Sequence, residues 1–257
     1  MQTDKVIDYI VDWLGTYAKD SGLNGFVVGV SGGIDSAVTS TLCAKTGMET
    51  LALNMPIYQA EDQYARSSAH IAWLESAFEN VKGHHVDLSP LLDAVSTCFS
   101  KAIQDDLTMA NTRSRLRMVT LYAHATHHRM LVAGTGNKVE DFGVGFYTKH
   151  GDGGVDISPI ADLVKSEVYE LAKALGIMED IQNAAPTDGL FEDNRTDEGQ
   201  IGASYPELEW AMGFDGDPGA LTGREKQVME IYTRFNRTNR HKMEPIPVCI
   251  IPDSLRD

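Results

Sequence analysis

Three cysteines, Cys43, Cys98 and Cys249, are too few and too scattered for a disulfide framework, and none forms the C-x-x-C pair of a zinc or redox site. They read as reduced thiols. No apolar run approaches the roughly 20 residues that cross a bilayer, and Asp4, Asp8 and Asp12 interrupt the N-terminal apolar pattern, unlike a secretory signal. The expectation is a cytoplasmic protein with no membrane partner. Positive charge is also scarce: 22 lysines and arginines against 37 acidic residues leave a net charge of −15, which argues against non-specific nucleic-acid binding. An anionic ligand must therefore be caught by a local cluster of positive charge. His124, His127 and His128 have zinc-like spacing but no H-E-x-x-H context, and they are read as the end of a helix.

What the chain does contain centres on FVVGVSGGIDSAVTSTLCAKTG, residues 26–47. Phe26, Val27, Val28 and Val30 form a short apolar segment that reads as a buried parallel strand, and Ala37, Val38, Leu42 and Cys43 recur at helical spacing. Between them lies Ser31-Gly32-Gly33-Ile34-Asp35-Ser36. Paired glycines let successive N–H groups point inward at a helix N-terminus, which makes an anion nest suited to phosphate. Ser31 and Ser36 add hydroxyls, and Asp35 sets a carboxylate where it would repel phosphate unless a divalent cation lay between them. The motif implies Mg²⁺. It is no Walker A loop, because no lysine stands at the mouth of the helix, and the G-x-G-x-x-G dinucleotide fingerprint is absent here too.

The rest of the chain alternates. An amphipathic helix over 4–19 precedes the central strand; strand 50–55, helix 61–79, strand 84–88, a helix from Ser89-Pro90 through Ile103, helix 111–128 and strand 130–133 follow. Such alternation predicts an α/β fold, a mostly parallel doubly wound, Rossmann-like sheet with helices on both faces and ligands outside the carboxyl ends of its strands. Helix 111–128 is apolar on more than one face, which suggests a second subunit. Residues 186–223 are acidic and glycine-containing and enclose one short helix with a Ser204/Glu207 capping box. This segment is expected to be mobile, within a single domain spanning 1–257. A second capping box, Thr222/Glu225, starts a last helix that ends near Arg240.

SGGIDS resembles the pyrophosphatase loop of the adenine-nucleotide α-hydrolase-like superfamily, whose members cleave ATP between the α and β phosphates. Together with NTRSRLRM and the block at 134–165, GTGNKVEDFGVGFYTKHGDGGVDISPIADLVK, it resembles the ammonia-dependent NAD⁺ synthetases over nearly the whole chain. The block departs from many members in carrying Gly136-Asn137 where an Asp-His pair is common, and one extra residue between Glu140 and Phe146. The resemblance implies ATP-dependent amidation of deamido-NAD⁺ through an adenylate, with release of AMP and pyrophosphate, and a homodimer. It assigns Gly29, Val30, Ser31, Gly32, Gly33, Ile34, Asp35 and Ser36, with Thr135, Lys165 and Thr187, to ATP, and Asp35 and Glu140 to Mg²⁺. Arg115, Lys149, Asp156, His241 and Lys242 fall to deamido-NAD⁺. Asp152 would orient or deprotonate ammonia, so the catalytic set is Asp35, Asp152 and Lys165.

Glutamine-dependent relatives carry an extra N-terminal domain, and only about two dozen residues precede the core strand here, so free ammonia, or a separate partner that supplies it, is the expected nitrogen source. Two other readings compete. Another ATP pyrophosphatase, thiolating tRNA or amidating a different acceptor, would need paired reactive cysteines or a basic face for the tRNA case. A non-catalytic ATP sensor would have no use for Asp35 and Glu140 together.

Overall fold

In the computed structural model, which describes residues 1–187, 189–191 and 195–256, the apolar run becomes β1 (Gly25–Gly29), an interior strand. β2 (Glu49–Asn54) pairs with it on one flank, β3 (Val81–His85) lies beyond β2, and β4 (Leu131–Val132) takes the other flank; all pairings are parallel. Val27 is in register with both Leu51 and Val132. Successive side chains point to opposite faces, so one strand feeds two cores. Phe26 and Val28 pack with residues of α1 (Thr3–Asp20), α2 (Ile34–Lys45) and α6 (Lys165–Ala174). Val27 instead meets Leu92 of α4 (Ser89–Cys98) and Met118 and Leu121 of α5 (Asp106–His128). Phe26 is fully buried, and truncating such a residue costs about 3–5 kcal/mol.

Strand order decides where a ligand can sit. The chain steps outward from β1 to β2 to β3 through α3 (Glu61–Ala77), then returns to the other flank of β1 at β4. That reversal opens a crevice outside the carboxyl ends of β1 and β4. Past α6 and α7 (Glu179–Gln182), α8 (Asp197–Ile201), α9 (Tyr205–Gly213) and α10 (Gly223–Met243) pack with a π-helical turn, Val139–Val144, around a separate apolar cluster that includes Leu208 and Val228. A π turn holds one residue more than an α turn. The turn lies within the stretch between residues 139 and 146, and Gly145 closes it at φ +63°.

Several boundaries differ from expectation. β3 starts at Val81, not at residue 84, because Lys82 and Gly83 are weak strand formers that an edge strand tolerates. Ser89 is the first residue of α4 and not its cap; its N–H is taken by the Asp87 carboxylate at 2.9 Å. That helix stops at Cys98, where the Gln104 amide donates to the Ser96 and Phe99 carbonyls, and α5 begins at Asp106 because Asp105 caps it through the Thr108 N–H at 3.0 Å. The Ser204/Glu207 box forms, with Ser204 N–H to Glu207 at 2.8 Å. At Thr222 no side-chain cap forms, since Gly223 turns the chain away at φ +56°, and α10 runs on to Met243. Segment 186–223 carries α8 besides the expected helix; its residues 188 and 192–194 lie outside those described. Among the described residues no helix is long and apolar enough to cross a membrane.

Candidate active site

A cavity of about 660 Å³ opens at the crevice, lined by the whole stretch 29–36 and by Thr135, Glu140, Lys165 and Thr187. Ligand sites of this size are ordinary for nucleotides and cofactors. Gly32 makes the turn possible: its φ is +87°, and a Cβ there would lie 2.6 Å from the Gln63 carbonyl oxygen of α3. Gly33 caps α2 in an extended conformation without a side-chain cap. The positive end of α2 therefore opens toward the cavity. The two serines brace the turn from within. Ser36 Oγ donates to the Gly33 carbonyl at 2.9 Å and accepts the Ser31 N–H at 3.2 Å, while Ser31 Oγ accepts the Gly33 N–H at 3.2 Å.

The carboxylates expected to share a cation do converge. Lys165 Nζ lies 2.5 Å from Asp35 Oδ2 and 3.2 Å from Glu140 Oε1, and the lysine is only 3% exposed. Burial alone would lower the lysine's pKa, but Asp35 and Glu140 outweigh it and hold the ammonium charged. Burial pushes the Asp35 carboxyl above its usual range, against the pull of Lys165. Two hard oxygen donors from separate elements that already close on one cation fit Mg²⁺, whose remaining positions water and phosphate can fill. Among the described residues no group of three or more His, Cys, Asp or Glu is gathered around a possible metal position.

Other residues complete this cluster. Asn137, fully buried, donates to Asp35 Oδ1 at 3.2 Å and accepts the Val139 and Glu140 N–H groups at 3.1 and 3.2 Å. One side chain thus ties the Asp35 carboxylate to the backbone that carries Glu140. Gly136 leaves room for the Asp141 carboxylate, which occupies the space a side chain at 136 would need. Burial, then the charges of Glu140, Asp152 and Asp35, push the Asp141 carboxyl up to about 8. Tyr205 donates to Glu140 Oε1 at 2.5 Å and sets its ring 4.5 Å from Lys165 Nζ.

At the far wall, Asp152 Oδ1 accepts from Ser114 Oγ at 2.6 Å and from the Thr148 N–H at 3.0 Å. Solvent reaches its outer face, yet the surrounding protein raises its pKa through desolvation, against those hydrogen bonds. Arg115 Nε and Nη2 donate to the Lys149 carbonyl, both at 3.3 Å, and Lys149 Nζ donates to the His241 carbonyl at 2.6 Å. Lys242 Nζ bonds the Gly145 and Tyr147 carbonyls at 2.8 and 2.7 Å, and burial lowers its pKa. These four residues line the same cavity as the glycine turn. Asp156 does not. Its oxygens take the Tyr122 hydroxyl at 2.9 Å and the Val132 N–H at 2.8 Å. Thr187, at the cavity edge, donates to the Arg195 carbonyl at 3.0 Å. The sequence reading passed over Asn137, Asp141 and Tyr205 as working parts of this site.

Known proteins are similar to this chain in sequence and fold. The family model for NAD synthase matches residues 6–245. An NH(3)-dependent NAD(+) synthetase of Syntrophomonas wolfei is 36% identical over 264 aligned positions that cover 100% of both chains. Among solved structures, an NMN synthetase from Francisella tularensis superposes with a TM-score of 0.85 at 30% identity, covering 98% of this chain and 99% of the other. An NH3-dependent NAD synthetase from Campylobacter jejuni, in complex with nitrate, gives 0.78 at 25% identity over 97% and 100%.

Proposed function

Because this chain belongs to the NAD synthase family, we infer that it amidates deamido-NAD⁺ to NAD⁺ with ammonia, at the cost of ATP cleaved to AMP and pyrophosphate. It is a ligase that forms a carbon–nitrogen bond. A carboxylate is a poor acyl donor, so the nicotinate oxygen first attacks the α-phosphorus and the bond to pyrophosphate breaks. Ammonia then attacks the activated carbonyl carbon, and AMP leaves with the acyl–oxygen bond pair. Such transfers rest chiefly on positioning and electrostatic stabilisation.

The geometry supports one set of residue roles. Amides of 31–36 at the start of α2 cradle the departing phosphates, with Thr135 and Thr187 at the rim. Lys165 supplies the mobile positive charge, passing from carboxylate to phosphate. Asp35 and Glu140 would hold Mg²⁺, which when bound would neutralise charge developing on the phosphate oxygens. Asp152, whose raised pKa makes it a stronger base, takes the proton of ammonium. Arg115, Lys149, His241 and Lys242 receive the second substrate, and Asp156 serves from outside the cavity by fixing β4. A homodimer in the cytoplasm is the working state: exposed Leu107 and Val119 on α5, and Ile246, Val248 and Ile250 on the extended C-terminal arm, leave apolar surface for a second copy.

The observation that carries this reading is the convergence of Asp35, Glu140 and Lys165 beside the glycine turn at the strand-order reversal. The test supplies purified protein with ATP, Mg²⁺, ammonium and deamido-NAD⁺ and follows AMP, pyrophosphate and NAD⁺ together. All three form in equal amounts if the reading holds; ADP and phosphate would refute it. Arg115→Ala raises KM for the dinucleotide about tenfold with kcat largely kept, since it removes binding and not chemistry. The Francisella likeness favours a second reading in which the product is NMN. Nicotinate mononucleotide offered in place of deamido-NAD⁺ separates the two through kcat/KM.

A further inference from the structure

Glu140 lies in a π turn, and a glutamate side chain has three torsions to fix before its carboxylate can serve as half of a cation site. A second anchor comes from 65 residues further along. Tyr205 is the first residue of α9, 3% exposed and packed in the apolar cluster with Val139, Val144 and Leu208. Its own N–H donates to Glu198 at 2.9 Å, and the box formed by Ser204 and Glu207 closes the helix start beside it. Its hydroxyl reaches Glu140 Oε1 at 2.5 Å, the length of a charge-assisted O–H···O⁻ bond, and stands 3.3 Å from Asp197 Oδ2. The same ring faces the Lys165 ammonium.

We propose that Tyr205 is a positioning residue of the nucleotide site: its hydroxyl holds the Glu140 carboxylate in the orientation that lets it share a cation with Asp35. This rests on the assignment of Asp35 and Glu140 to Mg²⁺ made above. The ring packs the core and faces Lys165; the hydroxyl, which packing does not need, orients the carboxylate. Tyr205→Phe keeps the first role and removes the second.

The experiment compares wild type, Tyr205→Phe, Glu140→Gln and Leu208→Ala, the last loosening the same cluster without touching the hydroxyl. It reads the thermal midpoint, the half-saturating Mg²⁺ concentration, KM for deamido-NAD⁺, and calorimetric binding of Mg²⁺ with a non-hydrolysable ATP analogue. Tyr205→Phe should weaken the calorimetric affinity and raise the half-saturating Mg²⁺ about five- to twentyfold, the loss of one charge-assisted hydrogen bond. Its KM for deamido-NAD⁺ and its thermal midpoint should stay near wild type, and Leu208→Ala should lower the midpoint without moving the Mg²⁺ dependence. An unchanged Mg²⁺ dependence in Tyr205→Phe, or an equal shift in Leu208→Ala, overturns the proposal. If Glu140→Gln also leaves Mg²⁺ binding unchanged, the metal assignment itself falls; if only Glu140→Gln weakens it, the assignment stands and the role of Tyr205 does not.

Discussion

The glycine turn and the carboxylate–lysine cluster lie side by side in one cavity, yet they are built in opposite ways. The turn takes six consecutive residues, Ser31 to Ser36, that run from the loop after β1 into the first turn of α2, and its internal bonds join Ser31, Gly33 and Ser36. The cluster takes Asp35, Asn137, Glu140, Lys165, Asp197 and Tyr205 from six separate elements or connections. A local motif is specified by short-range sterics; an assembled one stands only when the sheet, the π turn and the C-terminal helices are all in place.

The sharpest way to break the comparison is through Asp35, which belongs to both. Asp35→Ala should cut all three products by about a thousandfold, the scale of losing a central electrostatic group, as read in the coupled assay. Near-normal turnover would end its metal role. Gly32→Ala strikes the turn alone. It forces an alanine to positive φ with its Cβ against the Gln63 carbonyl, so it should cost about 1–3 kcal/mol in urea unfolding, with ATP binding weakened.

His70 tests the support behind the turn. On α3, fully buried, it shares a 3.0 Å hydrogen bond with Ser40 of α2, and burial lowers its pKa from 6.5 to about 4. The folded chain binds fewer protons at this ring than the unfolded chain between those two values, so stability falls as pH drops through that window and is flat above it. His70→Gln should flatten the loss of thermal midpoint between about pH 7 and 5, measured as a slope against wild type. The smallest effect tests the support behind the cluster. Glu207 closes the start of α9 and pairs with Arg224, and that pair, then the Ser204 N–H, hold its carboxyl down at about 2. Glu207→Gln should cost about 0.5–1 kcal/mol in urea at neutral pH. The difference should shrink as pH falls from 4.5 toward 2, where the native carboxyl protonates as well.

Legibility followed the same division. Phe26 to Ser36 announced strand, turn and helix because each step depends on neighbours in sequence, and the alternation of elements was enough to place the turn at a carboxyl edge. Asp35, Glu140 and Lys165 were found through motif resemblance, and their convergence is visible only in three dimensions. Asn137 looked like a departure from the usual pair, and nothing local says that its amide joins the Asp35 carboxylate to the backbone of Glu140. Nothing in the sequence singles out Tyr205, since its partner lies 65 residues away. The edge strand shifted because Lys82 and Gly83 carry little strand signal, and Thr222 failed as a cap because a positive φ at Gly223 is invisible in a composition pattern.

The spread of the cluster along the chain bears on synthesis. A polypeptide leaving the ribosome has every residue of its phosphate turn by residue 36, but Glu140 gains its hydroxyl partner only after residue 205 has emerged. A chain that stops between those points has the loop sequence without the hydroxyl that completes the cation cradle.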